Sequence, residues 1–114
     1  MYNGVQLHSS YETRVAIDLD ANNIRWTRPA PIIWRDTNGE NHRYYPDFYL
    51  PDLDIYLEPK NDFLINSINP AFGITDREKI QKVGKQARIK IILLRESELS
   101  WNIIQEKIAQ QVFE

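Results

Sequence analysis

Two strand-like segments separated by a very short turn occupy the middle of this chain, and this hairpin constrains the fold more than any other feature. Residues 43–50 are rich in aromatic side chains, and residues 54–60 alternate between apolar and polar types. Pro51-Asp52-Leu53, which lies between them, has the composition of a turn. A tight turn at this point pairs Asp47 with Glu58, so the sequence predicts an antiparallel strand pair.

The segments on either side of the hairpin predict helices and further strands. Apolar residues at helical spacing mark the helices, and runs of apolar or β-branched residues mark the strands. The predicted helices are residues 9–21, residues 75–87 and a last helix that begins at Ser97 or Ser100 and runs to residue 112. The predicted strands are residues 24–27, 32–35, 43–50, 54–60 and 88–94. The first two strands are either separate or one broken strand, and an irregular loop is expected before the second helix. The order α-β-β-β-β-α-β-α predicts the α/β class, with a mixed central β-sheet flanked by helices in a single domain over residues 1–114.

The composition excludes several classes of site. The chain has no cysteine, which excludes disulfides, thiolate zinc sites and a cysteine nucleophile. No apolar run approaches the roughly 20 residues that span a bilayer, and the N-terminus lacks the pattern of a signal peptide, so we expect no membrane association and a cytoplasmic location. The net charge is −2, so any binding of nucleic acid has to come from local placement of charge.

Strand alternation places three charged side chains of the hairpin close together. Asp47 lies across from Glu58, with Cβ atoms roughly 4.5–5.5 Å apart, and Lys60 shares the face of Glu58. Two facing carboxylates repel each other unless a cation lies between them, and Mg²⁺ prefers such oxygen ligands. The pattern predicts a divalent metal site in which Lys60 holds a water or stabilises phosphate charge. The alternative is an ordinary solvent-facing strand in which Lys60 neutralises Glu58.

The spacing of these residues resembles a known signature. Pro46-Asp47, followed eleven residues after the aspartate by Glu58-Pro59-Lys60, resembles the PD-(D/E)xK nuclease motif. The string Tyr45-Pro46-Asp47-Phe48-Tyr49-Leu50-Pro51 is most similar to the phage-type endonuclease I branch, whose members resolve DNA junctions. Ser9-x-x-Glu12 and the charged helix and isoleucine-rich strand of residues 76–94 also match the order of elements in that family. The resemblance covers roughly residues 9–94 and implies a restriction-endonuclease-like core.

The resemblance also implies an activity and a set of site residues. The activity is hydrolysis of a DNA phosphodiester by an activated water, with Mg²⁺ as the cofactor and Mn²⁺ able to substitute. Asp47 and Glu58 carry over as metal ligands together with the main-chain carbonyl of Pro59, and Lys60 as the residue that orients the water. Glu12 carries over as an outer acidic ligand, although a capping-box contact with the Ser9 N–H would also explain it. Proline inside Glu-x-Lys removes a strand donor and predicts a bulge or local widening.

Basic residues just after the candidate site predict where DNA binds. Six of them fall between residues 77 and 90, and a second group lies in the first strands. The residues expected to contact the phosphate backbone are Lys79, Lys82, Lys85, Arg88 and Arg43. Because cutting two strands needs two active sites, a homodimer on duplex or branched DNA is expected.

The sequence therefore predicts a Mg²⁺-dependent DNA endonuclease of the junction-resolving or homing type. Such an enzyme would act in the bacterial host cytoplasm if it is phage-encoded. Two alternatives remain: a partner-dependent nuclease subunit of a transposition complex, and a non-catalytic DNA-binding or assembly module that retains the fold. Pro59 is the residue that favours the non-catalytic module.

Overall fold

The computed structural model of the protein describes residues 10–70 and 72–112, without the side chains of residues 63, 64, 111 and 112. The contact predicted between Ser9 and Glu12 lies outside the described residues. The elements in chain order are α1 (Ser10–Ala21), β1 (Ile32–Arg35), β2 (Asn41–Tyr44), β3 (Phe48–Leu50), β4 (Ile55–Pro59), α2 (Asp62–Ile65), β5 (Ile68–Asn69), β6 (Ile74–Thr75), α3 (Asp76–Ala87), β7 (Ile91–Leu94), a 3₁₀ turn (Glu96–Glu98) and α4 (Trp101–Val112).

A three-stranded mixed sheet in the order β3-β4-β7 forms the centre of the fold. β3 and β4 are antiparallel, with Phe48 opposite Leu57, and the same register continued by one residue brings Asp47 opposite Glu58. The predicted register of this hairpin is therefore confirmed. β4 runs parallel to β7, and α3 lies in the connection between them, as a parallel pair requires.

Helices cover both faces of this sheet because its side chains alternate in direction. On one face α1 and α4 form a buried cluster with residues such as Leu19, Leu57 and Ile104, all of which are fully buried. On the other face α3 packs against the β1-β2 hairpin around Trp34 and Val83. The predicted α/β class is confirmed. None of the described helices has the length and apolar character needed to cross a bilayer.

Helix α3 begins where the sequence predicts, and its first turn carries two charged residues that lie near the candidate metal site. Thr75 is its N-cap, and the Thr75 hydroxyl accepts a hydrogen bond of 3.1 Å from the Glu78 N–H. The helix ends at Arg88, which adopts a left-handed conformation with φ of 57°. Asp76 and Lys79 occupy the first turn, so the position of the Thr75 cap determines the positions of both residues.

Three predicted strands differ from the observed ones. The predicted strand 88–94 begins only at Ile91, because Arg88 still caps the end of α3. Residues 24–27 form only a single bridge, in which Thr27 exchanges two backbone hydrogen bonds with Tyr49, because Pro29 and Pro31 lie just beyond it. The predicted strand 43–50 is split at residues 45–47. Its first part pairs with β1 in one sheet, and its second part pairs with β4 in another.

The segment between β4 and α3 also differs from the prediction. In place of an irregular loop it contains the short helix α2 and strand β5, which pairs with β6 in a small hairpin. Ile65, at the end of α2, is fully buried, so this segment does cover part of the core.

Pro59 is the last residue of β4 and causes no bulge there. Tyr56 N–H donates to Lys90, just before β7, and Lys60 N–H donates to Leu94. Alternation therefore directs the main-chain groups of Pro59 away from β7, toward the side of β3. The β3-β4 pairing has already ended at Phe48 and Leu57. The proline therefore removes no ladder hydrogen bond, and the predicted widening is wrong.

Candidate active site

Three carboxylates meet where the ends of β3 and β4 approach the first turn of α1. Glu12 and Glu58 are each 4% exposed, and the Asp47 side chain is 17% exposed. The Asp47 carboxyl shares side-chain hydrogen bonds with both Glu12 and Glu58. Asp47 can reach both because it lies one residue outside β3, opposite Glu58 and beside the helix. The structure thus brings together the three acidic residues that the sequence selected.

Arg28 contacts two members of this acidic group. Its Nη1 donates a hydrogen bond of 3.1 Å to the main-chain oxygen of Asp47, and its Nη2 lies 3.4 Å from Glu12 Oε2. Nη1 is also 3.8 Å from Asp47 Oδ1. No sequence pattern predicts this contact, because Arg28 comes from the irregular segment after α1. Arg28 thus partly neutralises Glu12 and Asp47.

Two lysines extend the charged network toward α3. Lys60 Nζ lies 3.8 Å from Glu58 Oε1 and 3.6 Å from Asp76 Oδ2. Lys79 Nζ lies 3.8 Å from the other oxygen of Asp76, which is itself 8% exposed. Lys60 is therefore beside Glu58, as predicted. Asp76 was not selected from the sequence, where it is one of several acids at a helix start.

Tyr44 fixes the orientation of Glu58. Its hydroxyl donates a buried hydrogen bond of 2.8 Å to Glu58 Oε2. Burial, followed by the charge of Glu58, raises the pKa of Tyr44 far above its ordinary value, so the hydroxyl remains a donor. Uninterrupted alternation along one strand would turn Tyr44 away from Asp47. The break at residues 45–47 is the reason that Tyr44 reaches the site, and the strand prediction missed it.

The site disfavours a full set of negative charges. Burial above all, and then the hydrogen bonds and charges of Glu12 and Glu58, raise the pKa of Asp47 well above its ordinary value. Burial also raises the pKa of Glu58, although Tyr44 and Lys60 oppose this effect. The folded protein therefore retains a proton near Asp47 at pH values where an isolated aspartate would have lost it. A bound cation would have the same stabilising effect as that proton.

The oxygen donors at this site fit a small divalent cation. Asp47 and Glu58 are adjacent carboxylates, and the Pro59 carbonyl is directed away from the β4-β7 ladder. Among the described residues, the three acids do not form a group whose ligand atoms all lie within 4.8 Å of one another. Asp47 contacts both glutamates, so it is the central member of the group. This arrangement fits Asp47, Glu58 and Pro59 as inner ligands, and Glu12 as an outer one.

A group with those tight distances occurs elsewhere, at Asp36, Glu40 and His42. The Asp36 carboxylate already accepts hydrogen bonds from the N–H groups of Asn38 and Glu40, and it lies 2.7 Å from His42 Nε2. These bonds are those of a β-turn that joins β1 to β2, and they account for the cluster without an ion.

The five residues predicted to contact DNA separate into two groups. Lys79 is 16% exposed and is directed into the site. Lys85, Arg88 and Arg43 are exposed, and Lys82 is partly exposed. Four of the five thus present charge to solvent, whereas the fifth contacts Asp76.

The chain matches no family model, no curated protein and no solved structure.

Proposed function

We propose that this protein is a Mg²⁺-dependent DNA endonuclease that hydrolyses phosphodiester bonds at the Glu12-Asp47-Glu58-Lys60 site. The observation that carries the proposal is the contact of Asp47 with two buried glutamates, beside a lysine ammonium. A chain gains no stability from burying three carboxylates against each other. Their arrangement is explained if they bind a cation that a reaction requires.

Each side chain has a distinct task in this proposal. Asp47, Glu58 and the Pro59 carbonyl would hold the ion, and Glu12 would serve as an outer acidic ligand. When bound, the ion supplies a water of lowered pKa and positive charge next to the phosphate. Lys60 orients the attacking water, because its Nζ lies next to Glu58 and is held there by Asp76. Tyr44 keeps the Glu58 carboxylate turned toward the site.

The narrower parts of the proposal concern the family and the assembly. We infer a restriction-endonuclease-like core of the PD-(D/E)xK kind, closest to the phage-type endonucleases that resolve junctions. The support is the central strand β4, which ends in Glu58-Pro59 just before Lys60. It lies between the antiparallel β3, which Asp47 immediately precedes, and the parallel β7, which follows α3. A homodimer would supply two active sites for two strands, and a phage-encoded enzyme would act in the host cytoplasm.

A non-catalytic DNA-binding or assembly module is the second candidate function. The observation that favours it is the number of cations already present: Arg28, Lys60 and Lys79 face the acids Glu12, Asp47, Glu58 and Asp76. These contacts leave the cluster only slightly negative without any metal. Pro59 gives no further support to this candidate, since it disturbs no strand pairing.

A plasmid cleavage assay separates the two functions. The protein is incubated with supercoiled plasmid, with a cruciform or with linear duplex, in Mg²⁺, Mn²⁺ or EDTA. We expect nicking in either metal, none in EDTA, and none by Lys60→Ala. Lys107→Ala is the matched control, because this lysine lies on α4, where its ammonium contacts Glu98. DNA binding without cleavage in any metal would establish the non-catalytic module instead. Preference for the cruciform would identify a junction resolvase.

A further inference from the structure

We propose that Lys79 is a catalytic residue that binds the phosphate being cleaved, and is not one of the residues that hold the flanking DNA. This inference rests on the proposed endonuclease function and adds a second lysine, after Lys60, to that active site. It separates Lys79 from Lys82 and Lys85, its neighbours on the same helix.

The position of Lys79 supports a role inside the site. Its ammonium lies 5.6 Å from the centre of the Tyr44 ring and 6.0 Å from that of Phe72, so two aromatic faces confine it. Asp76, one turn earlier on α3, holds it from a third side at 3.8 Å. An ammonium held in this way is oriented before substrate arrives, whereas a lysine that binds flanking phosphates is usually a mobile surface group.

Lys79 and Lys60 are linked through a shared carboxylate. The two oxygens of Asp76 face one ammonium each, at 3.6 Å for Lys60 and 3.8 Å for Lys79. Lys60 is also the neighbour of Glu58. The two ammonium groups thus lie on the α3 side of the acidic group, while Arg28 lies on the α1 side. A phosphate bound at Asp47 and Glu58 would lie beside Lys60, and Lys79 is separated from Lys60 by the Asp76 carboxylate alone.

The chemistry of hydrolysis requires positive charge that the Lys79 ammonium can supply. Water oxygen forms a bond to phosphorus, the bond from phosphorus to the leaving sugar oxygen breaks, and the leaving oxygen takes up a proton as the water loses one. Negative charge accumulates on the phosphoryl and leaving oxygens during this exchange. Lys60 orients the water, and Lys79 stabilises that developing charge without transferring a proton itself.

The absence of cysteine from the chain permits a test in which only one charge changes. Lys79→Cys is alkylated in urea and then refolded. Alkylation with 2-bromoethylamine restores an ammonium on a lysine-like side chain, whereas alkylation with iodoacetamide leaves a neutral side chain. Lys85→Cys receives the same treatments as the matched control, since Lys85 is exposed on the outer side of α3. Single-turnover cleavage of a fluorescent duplex at saturating protein gives the rate, and titration in Ca²⁺ gives the Kd.

We expect the neutral form at position 79 to lower the single-turnover rate about 100-fold with little change in Kd, and the aminoethyl form to restore it. At position 85 the neutral form should weaken binding severalfold, with a larger change in Kd than in the saturated rate. Circular dichroism verifies refolding, and Lys79→Gln replaces the alkylated protein if the neutral form does not refold.

The outcomes distinguish the inference from the function on which it rests. Cleavage at the wild-type rate by the neutral position-79 protein overturns the role of Lys79 alone, and so does a change in Kd without a change in rate. Absence of cleavage by the wild type overturns the endonuclease function, and the inference falls with it.

Discussion

Asp47 lies in a position that disfavours its own charge. It is mostly buried, contacts two other carboxylates, and has one weak ion pair with Arg28 at 3.8 Å. Stability alone would favour an amide at this position, because an amide keeps the shape and removes the repulsion. A residue that is unfavourable for folding and favourable for cation binding is typical of a functional site.

We therefore expect Asp47→Asn to stabilise the metal-free protein and to abolish its response to metal. The gain should be on the order of 1 kcal/mol at pH 8, since one unit of pKa shift corresponds to about 1.4 kcal/mol. Urea denaturation in EDTA measures the free energy of unfolding, and calorimetric titration measures Mg²⁺ binding.

The matched control is Asp52→Asn. Asp52 is exposed, and the Arg25 guanidinium, 2.6 Å away, holds the pKa of its carboxyl below the ordinary value. The same chemical change at this position should give no stabilisation. If Asp47→Asn is instead less stable than the wild type in EDTA, the three acids are a structural network and not a strained site.

Residues of the site differ in how well the sequence predicts them. The Asp47–Glu58 contact follows from the length of one turn, because strand register is a local property. Arg28 and Tyr44 reach the site through the path of irregular segments, and no periodicity describes such a path. Lys79 appears in sequence as one of several lysines on a helix, and only the packing of α3 against β1 and β2 distinguishes it.

At the scale of elements, α3 connects the candidate site to the basic surface that we propose to bind DNA. Its first turn carries Asp76 and Lys79, and its later turns carry Lys82 and Lys85. Thr75 determines where this helix begins. The helix is predictable because a cap and a hydrophobic stripe are local signals, whereas α2 and the β5-β6 hairpin are too short to produce one.

Thr75→Ala should destabilise the protein by about 1 kcal/mol, because the N–H of Glu78 loses its acceptor. Thermal unfolding of the metal-free protein measures this change. Thr75→Ser retains the hydroxyl and should unfold within a degree or two of the wild type. Equal losses for the two substitutions would show that the methyl group, and not the cap, is what matters.

Replacement of Lys82 and Lys85 by glutamine should weaken DNA binding and reduce its dependence on salt. If each lysine neutralises one phosphate, the slope of log K against log salt concentration should fall by about 2 in magnitude. Fluorescence anisotropy with a short duplex in Ca²⁺ at several salt concentrations measures both quantities.

The control for this pair removes two cations from other helices, through Arg14→Gln on α1 and Lys107→Gln on α4. Arg14 is exposed on α1, and Lys107 contacts Glu98 from α4. This variant has the same net charge as the α3 variant and should keep the wild-type slope. Identical slopes in all three proteins would place the DNA elsewhere on the surface.

At the scale of the whole molecule, the charged network links stability to pH and metal. The pKa values of Asp47 and Glu58 are raised in the folded state, so the folded protein binds protons more tightly than the unfolded chain. Their contribution to stability is complete below the ordinary carboxyl pKa of about 4, and it decreases as pH rises above that value. Asp36, Asp52 and Glu98 have lowered pKa values, so their contribution is lost only in more acidic solution.

In EDTA we therefore expect the Tm of the wild type to fall from pH 5 to pH 8 relative to that of Asp47→Asn, which lacks the most strongly coupled group. Because Mg²⁺ binds the deprotonated carboxylates, the increase in Tm that it causes should grow over the same range. Differential scanning fluorimetry at each pH, with EDTA or Mg²⁺, measures both trends, and subtraction of the Asp47→Asn values removes the contribution of histidine. A Mg²⁺ effect that is equal in the two proteins at every pH would mean that the ion binds outside the acidic group.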